Sequence, residues 1–355
     1  MSKPRSRAFA RFAPLGPARL IAILGALNVA LIALGLALFS ADAKRAGSGI
    51  RVGLVFDIGG KNDKSFNTAA WRGLERAHAE LGIQAEFIEP TEGADRESAM
   101  RSLAARGVNL VIGVGFLFGP DLERLAAQFP NVKFAGIDYS ASQGFNGLPN
   151  LAGLAFREHE GSFLVGAIAA LVSRTKTVGF VGGMKIPLIR KFEAGYEAGV
   201  KHVCPTCRVL SAYAGTEPKA FADPTFGQEL GAAQYEQGAD VIFTAAGKTG
   251  DGVFAAARQR KTRVIGVDSD QYESAPCCMV TSMIKGVDVA VFDVIKSVVD
   301  DKFVGGVHEL GLAEHGVRFV ADENNVPRLL PIEVVQRAKA LAEEIVAGTI
   351  KVPYQ

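Results

Sequence analysis

Six short stretches of this chain carry side chains able to do chemistry, and each follows a run of apolar residues. They are Asp57-Ile-Gly-Gly-Lys-Asn-Asp-Lys-Ser-Phe-Asn67, Asp138, Phe221-Ala-Asp-Pro224, Gly247-Lys-Thr-Gly-Asp-Gly252, Asp268 and Lys285. Aromatic faces such as Phe66 and Phe221 suit a planar heterocycle, and stacking on a base contributes about 1–3 kcal/mol. Asp57, Asp138 and Asp268 accept hydrogen bonds from vicinal hydroxyls, and Lys285 donates to a sugar oxygen. A planar ring joined to a polyol is a nucleoside. A nucleotide would also need cations cradling its phosphate, which this set does not supply. Taken singly, each residue has a plainer role. Asn62, Asp63 and Ser65 suit the cap of a following helix, the phenylalanines suit a core, and Lys285 suits a solvated surface. The joint arrangement is what points to a ligand.

Catalytic signatures fail on inspection. Gly247-Lys-Thr249 looks like the end of a phosphate-binding loop, but the earlier glycine of that motif falls on Ile242. Ser282 and Lys285 have the serine–lysine spacing of β-lactamases, yet Lys248-Thr-Gly250 precedes rather than follows them and no Ser-Asp-Asn exists. The five histidines form no metal-ligand spacing. No nucleophile is paired with a base. Cys204-Pro-Thr-Cys207 lies between a helix and a strand, where a local disulfide closing the turn fits better than a redox centre or half a zinc site. Cys277 and Cys278 have no evident role.

To gather the six stretches, the chain must place them at strand ends. Strands are expected at Arg51–Ile58, Ala85–Glu89, Leu110–Gly115, Val132–Asp138 and Leu151–Phe156, with helices at Ser65–Leu81, Glu97–Arg106 and Pro120–Gln128. The pattern restarts with strands at Thr177–Gly182, Arg208–Ala214, Asp240–Ala245, Arg263–Asp268 and Met279–Met283. Helices at Leu188–His202, Gly227–Gln237 and Gly250–Arg260 separate them. Continuous Val/Ile/Phe runs indicate strands buried on both faces, hence parallel sheets. Two successive sets imply an α/β protein of two doubly wound parallel-sheet lobes. The remaining helix Val287–Asp300, strands His308–Leu312 and Val317–Val320, and helix Ile332–Ala347 are too few for a third domain. They add to the existing lobes through a multi-strand hinge, with crossings near Phe156–Glu160, Ser282–Gly286 and Leu312–Val317. Residues 44–157 with about 286–314 would form one lobe, and 158–285 with about 315–355 the other. In such sheets ligands sit beyond the carboxyl ends of the strands.

Composition agrees with a folded, exported protein. The 355 residues are 48% hydrophobic with 40 Gly and 15 Pro, which excludes disorder and low complexity, and four Cys exclude a disulfide scaffold. The formal charge is +2, but the segment 1–43 holds five basic residues and one acid, so the remainder carries −2. No nucleic-acid surface is implied. Leu20–Phe39 is an uncharged apolar run after a basic start, and Ala41-Asp42-Ala43 follows it with small residues at both cleavage-site positions. That order reads as a secretory signal, and the run is also long enough for an uncleaved anchor. Either choice puts the rest outside the cytoplasmic membrane, with residues 1–43 as signal peptide or anchor. No cysteine follows the run to accept a lipid, and no second run of this length suggests a polytopic transporter.

The stretch Asp57–Asn67 resembles the opening signature of the basic membrane protein family, purine-nucleoside receptor-like substrate-binding components of ABC importers. The likeness continues through Phe129-Pro-Asn-Val-Lys-Phe-Ala-Gly-Ile-Asp138, Gly161-Ser-Phe-Leu-Val-Gly166, Val178-Gly-Phe-Val-Gly-Gly183, Gly266-Val-Asp-Ser-Asp-Gln271 and Thr281-Ser-Met-Ile-Lys285, and closes with Gly348-Thr-Ile-Lys-Val-Pro353. The resemblance implies a type I periplasmic-binding-protein-like fold and no catalysis. It implies a base stacked between Phe66 and Phe221 with Asn67 and Asp138 at its edge, and a ribose held by Asp268 and Lys285 near Gly247. The expected ligand set is therefore Asp57, Asn62, Ser65, Phe66, Asn67, Asp138, Phe221, Gly247, Asp268 and Lys285, with no metal or cofactor. The expected partners are a nucleoside and a membrane permease, with no nucleic acid, and the expected state is a monomer in the periplasm. A sugar receptor of the same architecture and an exported nucleoside hydrolase are the competing readings. The chain departs from many members in lacking the lipid-accepting cysteine, and its loop 215–223 looks longer, so that Phe226 competes with Phe221 for the second stacking position.

Overall fold

The computed structural model describes residues 48–90, 95–139, 141–142 and 147–355, together with Asn28, Ala30 and Leu31, which are helical. The expected signal or anchor over residues 20–39, and its cleavage site, lie otherwise outside the described residues. Among the described residues no helix is long and apolar enough to cross a membrane.

Ser48–Gln355 forms one compact unit. Its first half alternates β1 (Arg51–Val55), α1 (Phe66–Leu81), β2 (Gln84–Ile88), α2 (Arg96–Ala105), β3 (Leu110–Val114), α3 (Gly119–Gln128), β4 (Lys133–Ile137) and β5 (Leu151–Phe156). The second half runs α4 (Glu158–Val172), β6 (Thr177–Met184), α5 (Pro187–Val203), β7 (Arg208–Gly215), α6 (Pro224–Glu236), β8 (Val241–Ala245), α7 (Gly250–Arg260), β9 (Arg263–Asp268) and β10 (Met279–Lys285). The chain ends with α8 (Val287–Val299), β11 (Gly306–Leu310), β12 (Val317–Phe319) and α9 (Ile332–Val346).

Two six-stranded sheets result, ordered β2-β1-β3-β4-β5-β11 and β7-β6-β8-β9-β10-β12. Every pairing is parallel except β10 with β12. Parallel pairing follows from the sequence: β3 and β8 are buried along their whole length, so helices must cover both faces. In each sheet the strand order reverses beside the first strand, at β1/β3 and β6/β8. Crossover helices leave in opposite directions there and open a crevice at the carboxyl ends. The chain passes between the sheets three times, at Phe156–Glu158, Lys285–Val287 and Leu310–Val317. Thus α8 packs on α1 and α9 on α4.

One helix has no counterpart in the sequence pattern. Twelve of the fifteen residues of α4 are buried, because it lies between α5, α9 and the second sheet. A helix apolar on all sides has no amphipathic period to betray it. Close packing with α5 depends on Gly199, where a Cβ would stand 1.9 Å from the carbonyl oxygen of Phe163. Helix α6 begins three residues before its expected start, since Asp223 accepts a bond from the Phe226 amide and Pro224 suits the first turn. Cys204 is bonded to Cys207 across the turn between α5 and β7, and Cys277 to its neighbour Cys278.

Candidate functional site

Beyond β1 the chain turns through Gly59 and Gly60 and enters α1. The cap is Asp63, whose carboxylate accepts from the amides of Ser65 (2.9 Å), Asn67 (2.9 Å) and Thr68 (3.0 Å). Burial raises the Asp63 carboxyl above its ordinary range, while these three amides favour its ionised form. Ser65 makes no side-chain cap bond. Its hydroxyl instead crosses to the other lobe and donates to Asp268 Oδ2 at 2.6 Å. Asn67 pins the turn, donating to the carbonyls of Asp57 (3.4 Å) and Ile58 (3.2 Å) and accepting from the Asp57 amide (3.3 Å).

Asp57 sits against Gly115, at the end of β3. That glycine has φ of +119°, and a Cβ there would stand 2.3 Å from Asp57 Oδ2, so the position admits no side chain. Burial, partly offset by the Ile58 amide and Arg96, lifts the Asp57 carboxyl to about 6.

Asp138 directly follows β4 and Asp268 ends the equivalent strand β9, and both adopt left-handed backbone, with φ of 58° and 64°. Aspartate tolerates this region better than most residues, and the conformation ends the strand just as the carboxylate reaches the crevice. Between them lies Lys285, 2% exposed. Its Nζ is 2.5 Å from Asp138 Oδ1 and 3.1 Å from Glu158 Oε1, the first residue of α4. Phe156, Phe66 and Phe192 surround the ammonium at 5.0, 5.2 and 5.5 Å from ring centroid to Nζ. Burial alone would lower the Lys285 pKa, but Asp138, Glu158 and Asp268 more than reverse this and hold it charged. Burial raises Asp268 to about 6 against the opposing pull of Lys285 and the Ser65 hydroxyl.

These groups meet in a crevice with a cavity of about 70 Å³, walled by residues beyond the carboxyl ends of both sheets. Of the expected set, Asp57, Phe66, Asn67, Asp138, Phe221, Gly247, Asp268 and Lys285 line it. Two do not. Asn62 is exposed, because the cap is formed by the next residue and its own side chain turns to solvent. Ser65 is fully buried behind Asp268. Phe221 is on the wall, its ring 6.4 Å from that of Phe116, whereas Phe226 is 36% exposed on α6.

Phe116, Leu188, Ile189 and Phe192 also line the wall and were not expected. Phe116 was within reach of sequence reasoning, since it follows β3 by the same strand-end rule. Leu188, Ile189 and Phe192 face inward from the first turns of α5, where an apolar residue reads as ordinary core. Glu158 was hidden with its helix. A second, larger cavity of about 470 Å³ adjoins the first and shares Phe116, Asp138 and Leu188 with it. Among the described residues no cluster of three or more His, Cys, Asp or Glu is placed to hold a metal ion.

Residues 50–355 match the Bmp family model, described as ABC transporter substrate-binding protein, PnrA-like. The chain belongs to the Bmp family. Among Bmp-like relatives, it is 33% identical to the CD4+ T-cell-stimulating antigen of Listeria innocua over 91% of this chain and 94% of that one. It is also 33% identical to basic membrane protein A1 of Borrelia garinii, covering 86% and 88%. An ABC transporter solute-binding protein of Aeropyrum pernix superposes with a TM-score of 0.77 at 31% identity, covering 86% of this chain and 94% of that one. A Bmp family member is a substrate-binding component of an ABC transporter, and the two doubly wound lobes are those of the type I solute-binding fold.

Proposed function

We propose that this protein captures a nucleoside, purine in preference, between its two lobes outside the cytoplasmic membrane and delivers it to the permease of an ABC importer. It acts as a monomer, either released after cleavage of the leader or held by residues 20–39, and it makes and breaks no bond. One observation carries the reading. One crevice holds the rings of Phe66 and Phe221, from opposite lobes, beside the Asp268 carboxylate and the Lys285 ammonium. The rings would take the base. Asp268 keeps one oxygen clear of Ser65 to accept from a ribose hydroxyl, and Lys285 has three N–H donors against two acidic neighbours. Four carboxylates, Asp57, Asp63, Asp138 and Asp268, line the crevice against Lys248 and Lys285, a balance that disfavours a phosphate.

Stacking and polar pairing in a dry cleft support micromolar affinity, about −8 kcal/mol. A melting-temperature panel of nucleosides, nucleotides, pentoses and hexoses, followed by calorimetry, tests the proposal. Stabilisation by nucleosides alone is expected. Stabilisation by free sugars in their place would replace the nucleoside with a sugar as cargo, and release of free base from inosine would make the protein a hydrolase.

A further inference from the structure

The inner cavity, at about 70 Å³, is well below the roughly 300–1,000 Å³ usual for a small-molecule site. The outer cavity, at about 470 Å³, falls within that range, and Phe116, Asp138 and Leu188 line both cavities and form a wall between them. We propose that the outer cavity is a second compartment of the ligand site and receives a substituent carried on the base, one that ends in an N–H or ammonium donor. The proposal rests on the nucleoside reading and extends it from plain to base-substituted nucleosides.

The lining supports this assignment. Tyr139, Phe156, Ile186 and Pro187 provide apolar walls for an alkyl or aryl arm. Glu158 is wholly buried, and neither of its carboxylate oxygens makes a hydrogen bond. Its ion pairs, with Lys285 at 3.1 Å and Lys191 at 3.7 Å, leave both oxygens without a well-directed donor. Asp138 Oδ1, by contrast, is held by the Lys285 ammonium at 2.5 Å, and Asp138 lines both cavities. A buried carboxylate without a directed donor is costly, and an incoming N–H would supply one. Glu309 stands at the rim, paired with Arg157 at 3.5 Å. Asp138, Glu158 and Glu309 line the compartment with Lys191, while Lys285 and Arg157 pair with these carboxylates from outside its lining. The wall itself thus presents mainly acceptors and favours N–H donors over anions. If Asp138 is at the base edge, the exocyclic nitrogen of a purine lies at the dividing wall, and an arm on that nitrogen enters the outer compartment.

Calorimetry would compare three probes: adenosine, adenosine with an aminoalkyl arm on its exocyclic nitrogen, and adenosine with a carboxyalkyl arm there. The amine is expected to bind at least as tightly as adenosine and about tenfold tighter than the carboxylate, the ratio falling at high salt. Val307, which lines only the outer cavity, is 53% exposed, so Val307→Trp narrows the mouth without burdening the core. It should weaken the amine-bearing probe more than adenosine. Ala155→Leu, filling the same compartment from β5, should do likewise. Binding of adenosine with exclusion of both substituted probes would overturn the inference and leave the nucleoside reading standing. Equal affinity for amine and carboxylate would overturn the donor preference. Failure of all three probes would overturn both.

Discussion

At the scale of single residues, the site is a balance of buried charges around Lys285. Asp138, Glu158 and Asp268 are each buried and share the Lys285 ammonium, with Lys191 a more distant partner of Glu158 and Ser65 a hydrogen-bond donor to Asp268. Removing one partner of a buried network leaves uncompensated charge. Lys285→Met should therefore cost about 3–5 kcal/mol in urea unfolding, far more than an exposed lysine would. Phe66→Ala should weaken nucleoside binding at least about tenfold while leaving the fold intact, on the stacking energy of about 1–3 kcal/mol; calorimetry with unchanged affinity would remove Phe66 from the site. Asp268 carries a pH signature. Its carboxyl is raised from 3.8 to about 6 by burial, so its contribution to stability is complete below 3.8 and is lost as pH rises through about 6. Ligand binding has the opposite dependence, because hydroxyl donors require the ionised carboxylate. Affinity should fall about tenfold between pH 7 and pH 5, with protons released on binding near pH 6. Calorimetry in buffers of different ionisation enthalpy measures both, and a flat profile would exclude Asp268 as an acceptor.

At the scale of elements, most strands were legible, because apolar runs bounded by glycine and polar turns are short-range signals. The strand-end rule then located eight of the ten expected site residues on the wall of the crevice. It failed within the turn before α1, where three candidate caps stood within four residues and composition could not choose among them. The backbone chose Asp63, which left Ser65 free to reach the other lobe and Asn62 to face water. Asp63→Ala should remove the three amide bonds and destabilise the protein by about 1–2 kcal/mol, measured by chemical unfolding. Asp63→Asn should recover part of that loss, because an amide oxygen still accepts. Helix α4 was not legible at all. Its burial on every side removes the polar face that marks a helix in sequence, and with it went Glu158.

At the scale of the molecule, directed hydrogen bonds join the lobes. Ser65 bonds Asp268, Ser269 donates to the Ser65 carbonyl at 3.0 Å, and Gln271 donates to the Lys64 carbonyl at 3.1 Å. All three join the end of β9 and the loop after it to the turn before α1. Because the clasp uses the same carboxylate proposed to hold the ribose, closure and ligand capture are linked. Ser65→Ala removes a hydrogen bond to a charged group, worth about 1.5–3 kcal/mol, so ligand release in stopped-flow should accelerate about tenfold or more. An unchanged release rate would mean that the clasp plays no part in retaining ligand.

The linear order of residues was enough to establish two parallel α/β lobes, three crossings between them and a crevice at the strand ends, since each depends on hydrophobic runs and turns a few residues long. Which charged groups meet in that crevice depended on the assembled lobes. Ser65 and Asp268 are 203 positions apart, and Lys285 finds Asp138 and Glu158 only because β4, α4 and β10 converge across the gap. Local patterning carries no record of such distances, and the burial that makes these charges potent is a property of the closed pair of sheets.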